Sequence, residues 1–299
     1  MRQRENSVTP LGIVLALLAA AGCCAVYWRA ATLAQDEDAL DRIRHTGVVR
    51  VGYANEAPYG YLDSVTGEVT GEAPEIANVI LRRIGATRVV PVVTEFGSLI
   101  PGLKAGRFDV IAAGMYVTPE RAREIHFSNP TYAIGEAFLV KTGNPLQLHS
   151  FEDVVDSKQA RLGVMGGSVE HGYAKKLGVP GDRVIVFPGY PSAIEGLRTN
   201  RIDAFAATVL TANDLLRKRN DPQLELAQPF ADPQFEGESV RGFGAFGFRK
   251  RDVELVREFN RHLANFVGTP EHLKLVEPFG FSRETMPGGV TTAELVGGL

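Results

Sequence analysis

Cysteine is nearly absent from this chain: there are two, Cys23 and Cys24, adjacent and close to the N-terminus. Neither can cross-link the body of the protein, so no disulfide framework exists and the folded part is held by its core alone. Metal-ligand patterns are missing too. The six histidines, His45, His126, His149, His171, His262 and His272, show no HxxxH or Cys/His spacing, and no metal site is expected. There is no block of like charge; with a formal net charge of -3 and scattered Lys and Arg, nucleic acid is not an expected partner. Neither a Walker P-loop nor a GxGxxG fingerprint occurs, and nothing in the chain calls for a cofactor or a catalytic residue.

What is present begins with an address. Arg2 and Arg4 precede one apolar run, Leu11 to Trp28, and a polar stretch follows it. This reads as a signal segment over residues 1–34. "AAGC" around Cys23 resembles a bacterial lipobox, with Ala20 where Leu is usual, which makes Cys23 the candidate for lipidation. The alternative is an uncleaved anchor, since about eighteen apolar residues just suffice to span a bilayer. Both readings put the folded part outside the cytoplasm, tethered to a membrane.

From Val49 onward short β-branched or apolar runs alternate with helical periodicity, which argues for an α/β protein. "EIANVILRRIG" sets Ile76, Val79, Ile80 and Ile84 on one helical face and stops at Gly85. "GSLIPGLKAG" predicts a short helix with Ser98 as N-cap. An internal repeat organises these elements: "SLIPGLKAGRFDVIAAG", residues 98–114, aligns without a gap to "SAIEGLRTNRIDAFAAT", residues 192–208. Two lobes of one helix–strand plan follow, with Gly114 and Thr208 at equivalent strand ends. Ligands of such sheets bind outside the carboxyl ends of the strands. The expected boundaries are 35–139 for the first part of lobe 1 and 140–242 for lobe 2. Residues 243–285 return to lobe 1, and 286–299 form a flexible tail.

Arg121 stands in "VTPER", where Thr118 is a good N-cap and Pro119 suits the first helical position. Its guanidinium is either a rigid fork for a carboxylate or a surface partner of Glu120 or Glu124. In "LGVMGGSVE" a strand runs through Gly166 and Gly167 into a helix near Ser168, where free N–H groups suit an anion unless the turn is merely glycine-rich. Tyr59, Phe96 and Tyr116 sit at loop positions beside Gly or Pro, on the side where ligands are expected; lone aromatics are otherwise core. Aromatic faces attract a cation, and Glu56 in the first loop could match it. A carboxylate clamp at one end and an aromatic box with an acid at the other describe a small zwitterion.

The order of "VGYANEAPYGY", "FGSLIPGLKAGRFDVIAAGMYVTPERAREIHFSNPTY", "LGVMGGSVE" and "RIDAFAAT" resembles the extracytoplasmic solute-binding proteins of ABC importers, in the amino-acid-binding branch. The resemblance implies a two-lobed periplasmic-binding-protein-like fold (type II), with a ligand cleft between lobes joined by a two-segment hinge. It also implies a monomer that passes its solute to permease subunits. In that family the "TPER" arginine holds the ligand carboxylate, which maps to Arg121, assisted by Gly167 and Ser168. Where its members usually carry an Asp for the α-ammonium, this chain has Thr208. The wording of the first loop and of residues 96–116 is similar to the ectoine/hydroxyectoine-binding members, whose ligands carry a cyclic amidinium and no primary amine. That resemblance assigns the cation to Tyr59, Phe96, Tyr116 and Glu56. Some proteins of this fold are exported dehydratases; here only Glu56 and Glu170 could serve as a cleft acid or base. Neither has an evident activating partner, so no enzyme is expected.

Overall fold

The structure, a computed structural model, describes residues 38–235 and 241–297. The signal or anchor segment 1–34, with Cys23 and Cys24, lies outside the described residues. Among those described, no helix is long and apolar enough to cross a membrane.

The first lobe opens with α1 (Ala39–Thr46), started by the Asp38 carboxylate and ended by Gly47 in the left-handed region. Then come β1 (Val48–Ala54), a hairpin of β2 (Tyr61–Leu62) and β3 (Val69–Thr70), α2 (Glu72–Ile84) and β4 (Arg88–Thr94). Next are α3 (Leu99–Lys104), β5 (Val110–Tyr116), α4 (Pro119–Glu124), β6 (His126–Phe127) and β7 (Tyr132–Ile134). The predicted face of α2 is buried, with Ile76, Ile80 and Ile84 in the core and Val79 packed against it. Burial of such side chains contributes roughly 1.5–3 kcal/mol each, which holds the helix on the sheet. Ser98 does not cap α3 as expected. A single 3-10 turn, Phe96–Ser98, runs directly into the helix, and Ser98 is already helical, so its hydroxyl makes no cap bond. A cap needs an extended backbone to reach forward, and Glu95 has that conformation instead.

The second lobe holds β8 (Glu136–Lys141), α5 (Phe151–Asp156), β9 (Leu162–Met165), α6 (Val169–Lys176) and β10 (Val184–Phe187). It continues with α7 (Tyr190–Arg198), β11 (Ala204–Thr208), α8 (Val209–Arg219) and β12 (Leu224–Leu226). The chain then returns through β13 (Gly242–Phe248) to α9 (Val253–Ala264) and α10 (Pro270–Val276), both packed on the first lobe's core, and ends in α11 (Thr292–Leu295).

The strand orders repeat. One sheet runs β4-β1-β5-β13-β6, with β7 also on β13; the other runs β10-β9-β11-β8-β12. In each, the first three strands are parallel and the fourth is antiparallel. The aligned residues do the same work in both. Asp109 accepts from Arg50 N at 3.0 Å and takes its Nε and Nη2. Asp203 accepts from Arg161 N at 2.9 Å and again takes Nε and Nη2. Each fork ties the beginning of one central parallel strand, β1 or β9, to the beginning of its neighbour, β5 or β11, at the sheet end away from the cleft.

Two expectations shift. The 139/140 boundary falls inside β8, every residue of which is described in the second sheet, and the chain crosses earlier, at Gly135. The return strand begins at Gly242, which pairs with Ile134, so the two crossings run side by side there. Within the expected tail, residues 291–296 are anchored to the first lobe. A capping box of Thr291 and Glu294 starts α11, Thr292 Oγ1 donates to Ser128 O, and Val296 packs on the core. Composition marked that segment as polar, while its anchoring comes from a side chain and a carbonyl far apart in sequence.

Candidate functional site

All six parallel strands aim their carboxyl ends at the space between the lobes, and residues at those ends or a few positions beyond line it. β1 leads to Glu56 and Tyr59, β4 to Phe96, and β5 supplies Gly114 and Tyr116 and leads to Arg121. From the other lobe β9 leads to Ser168, Val169 and Glu170, β10 to Tyr190, and β11 ends in Thr208. The cavity left among these side chains is only about 40 Å³, well below the few hundred Å³ of a typical small-molecule site, so the lobes stand nearly shut on one another.

The lobes touch across it. Tyr59 Oη and Thr208 Oγ1 are 2.7 Å apart. Arg121 Nη1 donates to Tyr116 O at 2.8 Å in its own lobe, and Nη2 to Gly167 O at 2.9 Å in the other. A side chain on Gly167 would stand 2.8 Å from the Cα of Gly97, so only glycine permits this approach. Lys176 and Glu120 pair across the gap at 3.6 Å, and Lys218 Nζ lies 4.5 Å from the Tyr61 ring.

Arg121 is placed by its helix start. The Thr118 side chain accepts from Arg121 N and Pro119 follows the cap. The guanidinium lies 5.5 Å from the Phe96 ring and spends two of its five N–H groups on carbonyls. Burial lowers its pKa from the ordinary arginine value, and the Glu170 carboxylate opposes that. It is no surface ion pair: Glu124 bonds Lys104 and Glu120 pairs with Lys176.

The aromatic wall is deeper than expected. Tyr59 stacks on Tyr132 at 5.4 Å, and Tyr132 meets Tyr116 edge-on at 6.2 Å. Three glycines make room for these rings: Gly114 beneath Tyr59, Gly242 beneath Tyr116 and Gly244 beneath Tyr132. Burial raises the pKa of all three phenols well above their ordinary value, so they stay neutral. Glu56 is buried with Oε1 unpartnered, and its carboxyl is pushed up to about 8 by burial and by the nearby Glu170. Tyr190 and Arg121 work in the other direction.

Every residue expected at the site is thus brought to it except Gly167, which contributes a carbonyl to Arg121 rather than a surface. Ser168 caps α6, its oxygen accepting from His171 N, and Thr208 caps α8, accepting from Thr211 N. Tyr190, Met165 and Val169 were not expected. Tyr190 had a signal: the repeat offset that pairs Ser98 with Ser192 also pairs Phe96 with Tyr190, so each lobe places one ring after its edge strand. Among the described residues no group of side chains could hold a metal ion.

Comparison with known proteins agrees with this architecture. A probable amino-acid ABC transporter periplasmic-binding protein of Sinorhizobium fredii is 39% identical over 249 residues, covering 83% of this chain and 81% of that protein. The lysine/arginine/ornithine-binding periplasmic protein of Escherichia coli is 29% identical over 224 residues, covering 72% of this chain and 80% of its own length. The solved structure of EhuB in complex with hydroxyectoine superposes with a TM-score of 0.80 at 37% identity, over 87% of this chain and 99% of EhuB. The fold is therefore the type II periplasmic-binding-protein fold, and these relatives are transport proteins rather than enzymes. The pattern of the bacterial extracellular solute-binding proteins, family 3, spans residues 49–281, both lobes and the cleft between them, and the chain belongs to that family as the extracytoplasmic solute-binding protein of an amino-acid-type ABC importer.

Proposed function

We propose that the protein captures ectoine or hydroxyectoine and delivers it to the permease of its importer. The observation that carries this reading is the buried, unpartnered Glu56 oxygen beside a wall of neutral aromatic rings, with Thr208 rather than an acid at the second lobe's strand end. A delocalised cyclic cation suits such a wall, each ring contributing roughly 0.5–2 kcal/mol. A primary ammonium would find only a hydroxyl at position 208, and that hydroxyl is engaged by Tyr59. Arg121 and the start of α6 at Ser168 take the ligand carboxylate. The hydroxyectoine bound by EhuB, a protein of the same fold, supports the assignment.

A second reading, another amino acid or zwitterion, has its own support. Glu170 also lines the cleft, and a relative of this chain binds lysine, arginine and ornithine. Calorimetry with ectoine, hydroxyectoine, glycine betaine, proline, arginine, lysine and glutamine separates the two. Binding of the first pair is expected; binding of a standard amino acid without them refutes the assignment. Tethering belongs to this proposal as well, through a lipid on Cys23 or an uncleaved apolar segment. Mass spectrometry of membrane-extracted protein distinguishes a diacylated Cys23 from an intact Met1.

A further inference from the structure

Behind the cleft wall lies an acid that the ligand assignment does not use. Glu136 is the first residue of β8, directly after Gly135, where the chain crosses between the lobes. Its N–H donates to Asp232 Oδ1 at 2.7 Å, and a Cβ on Gly135 would stand 2.7 Å from Asp232 Oδ2, so the hinge strand is pinned here by the segment that leads back. In the β8–β11 ladder Glu136 is paired with Thr208, the residue that ends β11 at the cleft. Residues directly opposite in an antiparallel ladder share a face.

The Glu136 side chain is only 4% exposed, and no donor reaches either carboxyl oxygen. What it meets is the carboxyl of Glu170, 5% exposed, in the first turn of α6. Two carboxylates are acceptors only and cannot bond to each other unless one carries a proton. Two buried like charges at contact cannot both ionise. Among the described residues, the groups acting on Glu136 include no cation: Glu170 from α6, Asp232 from the returning segment, and Tyr59, Tyr116 and Tyr132 from the first lobe. Glu170 faces Arg121, Glu56 and Tyr190 on its other side.

We propose that Glu136 and Glu170 share one proton in the shut cleft, and that Glu136 is a positioning residue which makes ligand capture proton-linked. Both acids belong to the second lobe and stay together when the cleft opens. The three tyrosines that seal them belong to the first lobe and withdraw. Water then reaches Glu136, whose proton returns to solvent, and closing binds one proton back on its carboxylate, with the O–H donated to Glu170. The singly protonated pair presents one negative charge to Arg121 rather than two. Burial and the Glu170 charge both raise the pKa of Glu136, which agrees with this assignment.

The sign follows from the acid being more protonated shut than open. Capture is unhindered below the ordinary carboxyl range and weakens as pH rises above it, by up to about tenfold per pH unit for one proton. The test compares wild type with Glu136→Gln, an amide that donates to Glu170 without needing a proton. Titration calorimetry with hydroxyectoine, in buffers of different ionisation heat from pH 6 to 8, should show about one proton taken up by wild type. Glu136→Gln should take up none and lose the pH slope. If Glu136→Gln does not fold, Glu136→Met serves, since it removes the titrating carboxyl from the same buried position and should likewise abolish uptake. Equal proton counts in wild type and variant overturn the proposal. This inference rests on closure, not on the ligand's identity. Should hydroxyectoine fail to bind wild type, the ligand assignment alone falls, and the panel solute that binds takes its place. A ligand-free arm follows the shut fraction by small-angle scattering between pH 5 and 8; a rise on acidification no steeper in wild type than in Glu136→Gln is again a refutation.

Discussion

Tyr59 and Thr208 make a bond that exists only when the lobes are shut, because one belongs to each. Removing the phenol oxygen as Tyr59→Phe keeps the ring, its stacking on Tyr132 and its edge contact with Phe281. The Thr208 oxygen still accepts from Thr211 N, so no buried acceptor is orphaned, and what disappears is one neutral hydrogen bond at 2.7 Å. Such a bond is worth about 0.5–1.5 kcal/mol net of the water it replaces. In the open form both hydroxyls are hydrated, so the whole loss falls on closure and lowers ligand affinity by about two- to twelvefold. The ligand-free thermal midpoint should hardly move. Thr208→Val removes the same bond together with the cap of α8, and the double-mutant cycle cancels the cap. Calorimetry on the four proteins should give a coupling within that range. A coupling below about 0.3 kcal/mol, the ordinary error of additivity, refutes the claim that this contact closes the cleft.

Arg121→Ala should weaken binding by about 2–5 kcal/mol, roughly thirtyfold or more, because a buried charged partner of the ligand is lost; a loss under threefold by calorimetry would show that the guanidinium serves only Tyr116 O and Gly167 O. Glu72 gives a pH effect on folding. Burial pushes its carboxyl up to about 7, above about 4.3 in an unfolded chain, so the folded state binds more protons between those values. Stability is therefore full below about pH 4.3 and falls by ~3 kcal/mol as pH rises to about 7. Glu72→Gln keeps an acceptor for Thr131 Oγ1, now at 2.7 Å, and should flatten that fall in denaturant titrations at pH 5 and 8; parallel slopes in the two proteins would refute it.

Much of the site was legible because its residues follow strand ends, and the repeat located those ends. Thr118 and Pro119 announced the turn that aims Arg121, and the glycines after β9 marked the turn into Ser168, though not the approach of the lobes that Gly167 permits. The missing parts depend on information that no local pattern holds. Whether "EAFLVK" belongs to the first or second sheet is decided by its antiparallel pairing with β11, not by its own apolar run. Misplacing that crossing hid Glu136, whose meaning comes from a partner 34 positions later. Ser98 failed as a cap for a related reason: Ser before a helix is a good cap only if its backbone is extended, and the preceding turn had already set it helical.

The charge balance of the shut cleft bears on what closes it. Arg121 is the one cation among its lining residues, while Glu56 and Glu170 both line it and Glu136 stands behind. Shut and empty, Glu56 must stay neutral or bear the cost of an unpaired buried charge, which is why its carboxyl rises to about 8. A ligand cation beside Glu56 removes that cost, and a ligand carboxylate at Arg121 supplies a partner of opposite sign. A ligand shifts an opening equilibrium only by its differential affinity for the two forms. Here the differential is electrostatic at both ends, so a zwitterion closes the cleft, whereas a neutral ring of the same shape leaves Glu56 unpaired and gains only the stacking.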